Sequence, residues 1–338
     1  MPTRGAMTPP LALTCGEPAG IGPEITAAAW LKARETSLPA FFLLAAPEFL
    51  AGRGVAAPVR EIASPEEASG VFGDAIPLLP IAGAQQARPG HPSAGTAELV
   101  VRSIETAVQL VLEGKASGVV TNPIQKSVLT KAGFAFPGHT EFLAYLCSED
   151  VEPPHPVMML ANEKLRAVPL TIHIPLSAVP GAVTADLLKR ACRVVDADLR
   201  ARFGVDQPHI AVAGLNPHAG EDGLIGTEDR DVLAPAIGEL AEEGLNVSGP
   251  YPADAMFRDT ARDGFDVAIC MYHDQALLPV KTLGFHDSVN VTLGLPIVRT
   301  SPDHGTALDL AGTDQAKPDS LIAALKMAAE MAAHEHGA

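Results

Sequence analysis

Short apolar runs alternate with segments of helical periodicity along the first 120 residues of the chain. The runs at 11–15, 41–45 and 76–79 have the length of buried strands, and residues 96–113 carry apolar side chains at helical spacing. Residues 118–120 form one more short apolar run. This alternation of strand, helix and strand predicts a parallel sheet covered by helices, and therefore an α/β fold.

The middle of the chain follows a different pattern. Two apolar runs, 157–160 and 165–172, flank the polar residues 162–164 and predict an antiparallel hairpin. A long helix, two buried strands and a terminal helix are predicted at 183–203, 210–213, 267–270 and 321–331. Both of these strands run into polar segments that contain a histidine. Ligands in open α/β sheets bind at the carboxyl ends of strands, so these segments are candidate binding loops.

The size and composition of the chain indicate a folded protein with a large core. Its 338 residues are enough for two domains, or for one large α/β unit with an insertion. Hydrophobic residues make up 47% and charged residues 19%, which excludes global disorder. Aromatic residues make up only 4%, so the core is expected to consist mostly of Ala, Leu, Val and Ile.

The charge balance narrows the range of partners. The formal net charge is −16, which makes the chain a poor partner for nucleic acid or an anionic membrane. A small anionic substrate would therefore have to be held by a local cluster of cations. No apolar run reaches the roughly 18 residues that a membrane span requires.

The termini and the cysteines point to the cytoplasm. The first ten residues contain no apolar segment of the signal-peptide type, and the part before Pro10 is expected to be a frayed tail. Cys15, Cys147, Cys192 and Cys270 are far apart and form no CxxC pair. We therefore expect buried, reduced thiols in a cytoplasmic protein.

Three histidines occur in the same setting, just after an apolar run. His173 follows the run 168–172, His218 follows the strand 210–213, and His273 follows the strand 267–270. Neutral imidazoles at three neighbouring strand ends could hold one divalent cation and leave positions open for a substrate. The alternative is that they are ordinary surface or hydrogen-bonded histidines, because separations of tens of residues are no metal motif.

Two glycine-containing loops are candidates for cofactor binding. Residues 16–22 follow the first strand and precede Pro23, which suits the first turn of a helix. Backbone N–H groups at such a helix start bind anions, which makes Gly20 and Gly22 candidates. The spacing is not GxGxxG, so a plain turn is the alternative. The loop 303–307 is a second candidate, with a loop that caps a helix as its alternative.

A set of polar residues within apolar sequence is a candidate phosphate site. Lys281 and Arg299 flank Asn290, and a buried cation without a partner is costly, so an anion is expected near them. A substrate phosphate suits Lys and Arg, although an internal Asp or Glu would also satisfy them. His139 and Thr140 begin a predicted helix, which again suits an anion. The alternative there is an ordinary N-cap by Thr140.

Nine collinear segments resemble the 4-hydroxythreonine-4-phosphate dehydrogenase family of pyridoxal-phosphate biosynthesis. They span nearly the whole chain: Gly16-Glu-Pro-Ala-Gly-Ile-Gly-Pro-Glu24, Thr121-Asn-Pro123, Gly138-His-Thr-Glu-Phe142, Thr171-Ile-His-Ile-Pro175, Leu215-Asn-Pro-His-Ala-Gly-Glu221, Gly226-Thr-Glu228, Gly249-Pro-Tyr-Pro-Ala-Asp254, Tyr272-His-Asp-Gln275 and Ser301-Pro-Asp-His-Gly-Thr306. One small departure is Glu17, where the family usually has Asp. This change preserves the charge.

The resemblance implies a fold and a set of site residues. The fold is an α/β/α fold similar to isocitrate and isopropylmalate dehydrogenases, with two domains and an active site in the cleft between them. The enzyme is implied to be a homodimer in which His173, His218 and His273 hold a metal shared between subunits. The residues implied to bind the phosphorylated substrate are His139, Thr140, Lys281, Asn290 and Arg299. The cofactor loop is implied to be His304, Gly305, Thr306 and Ala307.

The resemblance also implies an activity. The expected reaction is oxidation of the C3 hydroxyl of 4-phosphooxy-L-threonine to 2-amino-3-oxo-4-phosphooxybutanoate, which loses carbon dioxide to give 3-amino-2-oxopropyl phosphate. NAD or NADP would accept the hydride, and no fingerprint distinguishes the two. A divalent Zn, Mg, Co or Mn ion would lower the pKa of the hydroxyl. Lys281 and Asp254 are further candidates for catalytic residues. Asp254 is a candidate for proton transfer, with capping of the next helix as its alternative. Asp274 is expected to point away from His273, as neighbours in an extended segment do.

Three alternatives remain open at this point, together with the domain boundaries. Relatives of the family oxidise 4-phospho-D-threonate or -erythronate, or carboxylated cis-dihydrodiols, and similar scaffolds carry non-redox phosphate-ligand transferases. The expected division is a cofactor-side domain of residues 1–138 and 288–338. Residues 139–287 would form the domain for metal, substrate and dimerisation.

Overall fold

The structure is a computed structural model that describes residues 8–51, 53, 57–82, 87–136, 138–148, 154–335 and 337. Most of the expected tail before Pro10, and Pro137 of the helix-start motif, lie outside these residues. The strands are β1 Leu11–Thr14, β2 Phe41–Ala45, β3 Val59–Glu61, β4 Ile76–Pro80, β5 Val119–Thr121, β6 Val157–Asn162, β7 Leu165–Pro169, β8 Ile210–Ala213, β9 Val247–Tyr251, β10 Val267–Cys270, β11 Val289–Leu293 and β12 Arg299–Pro302. The α-helices are α1 Gly22–Leu31, α2 Ala33–Thr36, α3 Ala68–Val71, α4 Ala97–Leu112, α5 Lys126–Lys131, α6 His139–Leu146, α7 Val179–Ala182, α8 Ala185–Phe203, α9 Ala234–Glu242, α10 Ala253–Met256, α11 Asp259–Arg262, α12 His273–Leu283 and α13 Asp319–Glu335.

The chain divides into two compact units, Met1–Pro156 with Leu295–Ala338, and Val157–Gly294. In the first unit, strands β3, β4, β2, β1, β5 and β12 pair in that order, and all of these pairs are parallel. The parallel sheet predicted from the apolar runs is thus confirmed. The predicted domain boundaries differ from these units in two ranges: residues 139–156 were predicted to belong to the second domain, and residues 288–294 to the first. The roles predicted for the two domains stay predictions.

In the second unit the strand order is β11, β6, β7, β10, β8 and β9. The predicted hairpin is confirmed, because β6 and β7 pair antiparallel with Asn162 opposite Leu165. Strands β7, β10, β8 and β9 are parallel neighbours. The α/β fold class is therefore confirmed, with strand pairs that are all parallel within the first unit and of both orientations within the second.

Local sequence explains the ends of helix α8 and the buried face of helix α4. In α8, the side chain of Thr184 accepts a hydrogen bond from the Leu187 amide at 3.2 Å, and Gly204 ends the helix with φ +65°. In α4, the buried positions repeat at helical spacing and include Leu99, Ile104 and Val108.

The core has the expected aliphatic composition. In the second unit it is built from Leu, Ala and Val side chains such as Leu160, Ala268 and Val280. In the first unit Phe41 and Phe42 are also fully buried. All four cysteines are buried, and burial raises the pKa of the Cys15 and Cys192 thiols to about 12, as expected for inert core residues. Among the described residues, no helix is long and apolar enough to cross a membrane.

Candidate active site

The three predicted metal-binding histidines follow three adjacent parallel strands of the second unit. Strand β10 lies between β7 and β8, with Ile269 opposite both Val168 and Val212. The carboxyl ends of these strands therefore meet at one edge of the sheet, as predicted. Beyond the strands, the Thr171 hydroxyl donates to the carbonyl oxygen of Met271 at 2.7 Å, which ties the segments before His173 and His273 together.

His173 and His273 lie side by side, with their ring centroids 5.9 Å apart. His273 donates from Nδ1 to Oδ1 of Asp274 at 2.7 Å, which leaves Nε2 as the ligand atom, as is usual for a metal-binding histidine. The expectation that Asp274 points away from His273 is wrong, because α12 begins at His273 and the segment is not extended there. The pair has the donor chemistry for a divalent cation.

His218 lies in an unusual turn that follows β8. Residues 218–223 all have positive φ, between +44° at Glu221 and +95° at Gly223. Left-handed backbone costs a non-glycine residue about 1–2 kcal/mol, and four of these six residues are not glycine. Such strain is typical of functional segments. Within the described part of one chain, no three His, Cys, Asp or Glu side chains group to hold a metal. The three-histidine site thus stays a prediction.

A buried carboxylate, Asp229, anchors this strained turn. Its Oδ1 accepts from the Leu215 amide at 2.7 Å, and its Oδ2 accepts from the amide and the side chain of Asn216 at 3.1 and 2.8 Å. The approach is close enough that a Cβ at Gly214 would lie 2.8 Å from Oδ1 of Asp229. Asp229 was not among the predicted site residues, because the turn and the three donors that require its carboxylate are visible only in the structure.

The loop 16–22 of the first unit is buried, and four of its amides already form hydrogen bonds. The amides of Glu17, Gly20 and Ile21 donate to the carbonyl oxygens of Pro123, Glu17 and Thr306, and the Ala19 amide donates to the Glu17 side chain. Burial raises the pKa of Glu17. These four amides are therefore not available to a cofactor phosphate. The cofactor roles of Gly20 and Gly22 stay predictions with little support from this geometry.

A buried ion pair between Arg53 and Glu24 is hydrogen-bonded to the same loop. Arg53 donates to both carboxylate oxygens of Glu24, at 3.1 and 3.0 Å, and to the carbonyl oxygens of Pro18 and Gly20. Oε1 of Glu24 also accepts a hydrogen bond from the Gly312 amide at 2.8 Å. These contacts indicate that the loop serves as a structural support.

The loop 304–307 has a polar atom without a partner and open space for a cofactor. His304 Nε2 is buried without a hydrogen-bond partner, while its Nδ1 bonds the carbonyl oxygen of Gly305 at 3.0 Å. Gly305 is exposed, and a Cβ there would meet nothing within 4 Å. Thr306 donates to the side chain of Gln125 at 2.8 Å, and Ala307 has φ +41°. The alternative, a loop that caps a helix, is wrong because α13 begins only at Asp319. An orphaned imidazole nitrogen is compatible with a bound nucleotide.

His139 and Arg299 of the first unit lie within electrostatic reach of each other. Arg299 is buried and donates from Nη2 to the Thr121 hydroxyl at 2.6 Å, and burial lowers its pKa to about 10. The pKa of His139 is held well below its ordinary value, first by burial and then by the charges of Arg299 and Lys126. Its Nε2 is buried and has no hydrogen-bond partner. This neutral ring between two cations is suited to an anionic ligand.

Thr140 is the second residue of α6, and the N-cap of that helix is Gly138, which forms no side-chain cap. The alternative that Thr140 is an ordinary N-cap is therefore wrong. The amides of the first turn have no side-chain cap, which suits an anion at this helix start.

The remaining candidates belong to the second unit. Lys281 is in the last turn of α12, with Nζ 5.9 Å from the centroid of the Phe285 ring, and Asn290 is half-buried in β11. Asp254 is exposed in the first turn of α10, whose N-cap is Pro252 with no side-chain cap. The alternative role of Asp254 as a helix cap is therefore wrong. Its part in proton transfer stays a prediction.

The two α/β units, with polar loops at the ends of their parallel strands, define an α/β enzyme. The family model described as pyridoxal phosphate biosynthetic protein PdxA matches residues 39–328. The chain belongs to this family.

Individual relatives agree with this assignment. The 4-hydroxythreonine-4-phosphate dehydrogenase of Methylorubrum populi is 56% identical over 330 residues, which cover 96% of this chain and 94% of the relative. The crystal structure of 4-hydroxythreonine-4-phosphate dehydrogenase from Klebsiella pneumoniae is 38% identical, with a TM-score of 0.87 over 97% of this chain and 99% of that one. A terephthalate 1,2-cis-dihydrodiol dehydrogenase from Burkholderia xenovorans is 27% identical, with a TM-score of 0.64 over 95% and 98% of the two chains.

Replacing Asp229 by Asn is expected to loosen the turn that carries His218. Asn has the same shape, but its NH₂ group would face backbone donors, and a lost buried acceptor costs about 1–3 kcal/mol. Hydrogen exchange of residues 214–226 should therefore accelerate. Asp231→Asn is the control, since Asp231 is exposed and pairs with the exposed Arg230. Equal exchange in the two variants would contradict the anchoring role.

The ring of His139 is expected to stay neutral through the ordinary titration range of histidine, about pH 6.5. Its folded pKa lies below the unfolded value, so the unfolded chain binds the proton first. The stability due to His139 is thus complete above the ordinary pKa and is lost as the pH falls through that value towards the folded pKa. NMR titration of the ligand-free protein, with His139→Gln for assignment, measures this. An ordinary midpoint for His139 would contradict the lowering of its pKa by burial and by the two cations.

Proposed function

We propose that this chain oxidises the C3 hydroxyl of 4-phosphooxy-L-threonine to 2-amino-3-oxo-4-phosphooxybutanoate in pyridoxal phosphate biosynthesis. The single observation that carries the proposal is 56% identity, over 96% of the chain, to a relative named for this activity. The oxidised product is a β-keto acid. It loses its carboxylate as carbon dioxide and gives 3-amino-2-oxopropyl phosphate.

The phosphate end of the substrate is expected to bind at His139, Thr140 and Arg299. Support comes from the buried Arg299, from the neutral His139 ring with its unpartnered Nε2, and from the uncapped start of α6. Charge-assisted hydrogen bonds to a phosphate are stronger than neutral ones. Lys281 and Asn290 are assigned to the same substrate from the family pattern.

The reacting end is expected to lie at His173, His218 and His273, which would hold one divalent ion. When bound, such an ion lowers the pKa of the hydroxyl and favours loss of its proton. Zn, Co, Mn and Mg are all compatible with imidazole ligands to differing degrees. Asp274 would orient His273 through the Nδ1 hydrogen bond, and Asp254 would accept or relay the hydroxyl proton.

Hydride leaves C3 and must go to a nicotinamide ring, since no protein side chain accepts a hydride. The proposed cofactor is NAD or NADP, held on the His304–Ala307 side. His304 would contribute its buried Nε2, and the open space above Gly305 would admit the ligand close to the backbone.

A homodimer is proposed in which two subunits share each metal ion. His173 and His273 come together in one chain, so they would act as a pair and His218 of the partner subunit would complete the site. Large apolar side chains are exposed beside the histidines, with Leu176 at 68% and Leu224 at 85% exposure. Exposed apolar residues around polar ligands are typical of a surface that binds a second copy.

The activity is tested by mixing the protein with 4-phosphooxy-L-threonine, a divalent metal and either NAD or NADP. We expect substrate-dependent NAD(P)H absorbance. Parallel assays use 4-phospho-D-threonate, 4-phospho-D-erythronate and a carboxylated cis-dihydrodiol. Faster turnover of a sugar acid or of the dihydrodiol would replace the proposed substrate, and no reduced cofactor with any of them would favour a non-redox transferase.

Sharing of the metal site is tested by mixing two inactive variants, His173→Ala and His218→Ala. In a mixed dimer, one site carries both changes and the other site carries none. With random reassociation, about a quarter of the wild-type activity should return, because half of the dimers are mixed and half of their sites are intact. Bound metal should return in the same proportion. A mixture that stays inactive and metal-free would contradict the sharing of ligands.

A further inference from the structure

Lys126 lies against the residue that begins the candidate phosphate-binding helix. It is the first residue of α5, and its side chain runs past Gly138, the N-cap of α6. A Cβ at Gly138 would lie 3.2 Å from Cε and 3.5 Å from Nζ of Lys126. The absence of a side chain at Gly138 thus lets the Lys126 ammonium reach the start of α6.

Several features of this helix start indicate a ligand. His139 has a buried Nε2 without a partner, and α6 has eight residues and no side-chain cap. Arg299 and Lys126 both act electrostatically on the His139 ring. One carboxylate lies nearby, since Oε2 of Glu141 would be 3.4 Å from the same Cβ position. The group therefore combines two cations, a neutral imidazole and amides without a side-chain cap, and the exposed carboxylate of Glu141 lies beside them.

Helix energetics do not explain a lysine at this position. A cation at the first residue of a helix opposes the helix dipole, whereas one in the last turn is favourable. Lys131, in the last turn of the same helix, has the favourable position. Lys126 is exposed and stands out from the apolar face formed by Val128 and Leu129, so packing does not require it either.

We propose that Lys126 is a further phosphate-binding residue, which acts with His139 and Arg299 on the phosphate monoester of the substrate. This inference rests on the proposed function for the identity of the substrate, but its chemistry requires only a phosphate dianion. The flexible lysine supplies a point charge, while Arg299 supplies a fixed planar donor. Lys126 would hold the substrate in the ground state and in the transition state alike. Its loss should therefore raise KM and leave kcat nearly unchanged.

The test compares Lys126→Met with the matched control Lys131→Met, which removes the same charge from the other end of α5. We expect the KM for 4-phosphooxy-L-threonine to rise about 10-fold or more in Lys126→Met, as for the loss of one charged hydrogen bond. Lys131→Met should behave as wild type, and Lys126→Arg should recover part of the affinity. A KM in Lys126→Met equal to that of the control would overturn the inference.

A second measurement needs no turnover. Inorganic phosphate is titrated into each protein while the NMR signals of the His139 ring are followed. We expect saturable shifts in wild type and in Lys131→Met, and at least about 10-fold weaker binding in Lys126→Met. Phosphate binding that depends on Lys126, in a protein inactive on 4-phosphooxy-L-threonine, would support the inference and reject the proposed function. Phosphate binding that depends on Arg299 but not on Lys126 would overturn the inference alone.

Discussion

Three parallel strands of the first unit end in loops that are joined by buried hydrogen bonds. The Asn122 side chain donates to the carbonyl oxygen of Thr14 at 3.0 Å, and the Ile21 amide donates to that of Thr306 at 3.0 Å. Buried backbone groups must be paired, so these bonds fix the loops to one another. The close approach requires glycine, because a Cβ at Gly20 would lie 2.7 Å from the Thr306 oxygen. This arrangement positions the candidate phosphate and cofactor residues, because they lie at the helix starts and strand ends that these loops connect.

Backbone amides near the candidate site of the second unit must also be paired, and there a side chain, not the main chain, accepts their hydrogen bonds. The amides of Leu215 and Asn216 lie between strand β8 and the left-handed turn at 218–223, and both donate to the carboxylate of Asp229. A carboxylate is well suited to this task, since each of its oxygens accepts more than one hydrogen bond. The strain of the turn is thereby held at the segment that presents His218. By contrast, His273 needs only the start of a helix and its neighbour Asp274.

Much of the fold could be predicted from the sequence, because several strands, among them β2, β8 and β10, are unbroken apolar runs. Strands β8 and β10 begin and end at the predicted residues, and the hairpin of β6 and β7 follows from the polar turn between two apolar runs. The turn at 218–223 could not be predicted, since His, Ala, Glu and Asp give no signal for positive φ. The approach of Lys126 to Gly138 could not be predicted either. The two residues lie at the starts of two different helices, and Lys126 comes close only because Gly138 has no side chain. A pattern within one segment of the sequence does not show such a contact.

A chain with a net charge of −16 binds an anion only where local charges outweigh the overall field. At physiological salt, charges more than about 8 Å away are largely screened, so the residues in contact with the ligand decide. His139 fits this requirement because burial, and then the charges of Arg299 and Lys126, lower its pKa. The neutral ring can form a hydrogen bond to the ligand without being repelled by the two cations. A site built to bond a phosphate rejects analogues that lack the group far more strongly than a site built on apolar contact. If the proposed phosphate residues bind the substrate, they would select against dihydrodiols, whereas the choice between an amine and a hydroxyl on C2 would depend on groups at the other end of the substrate.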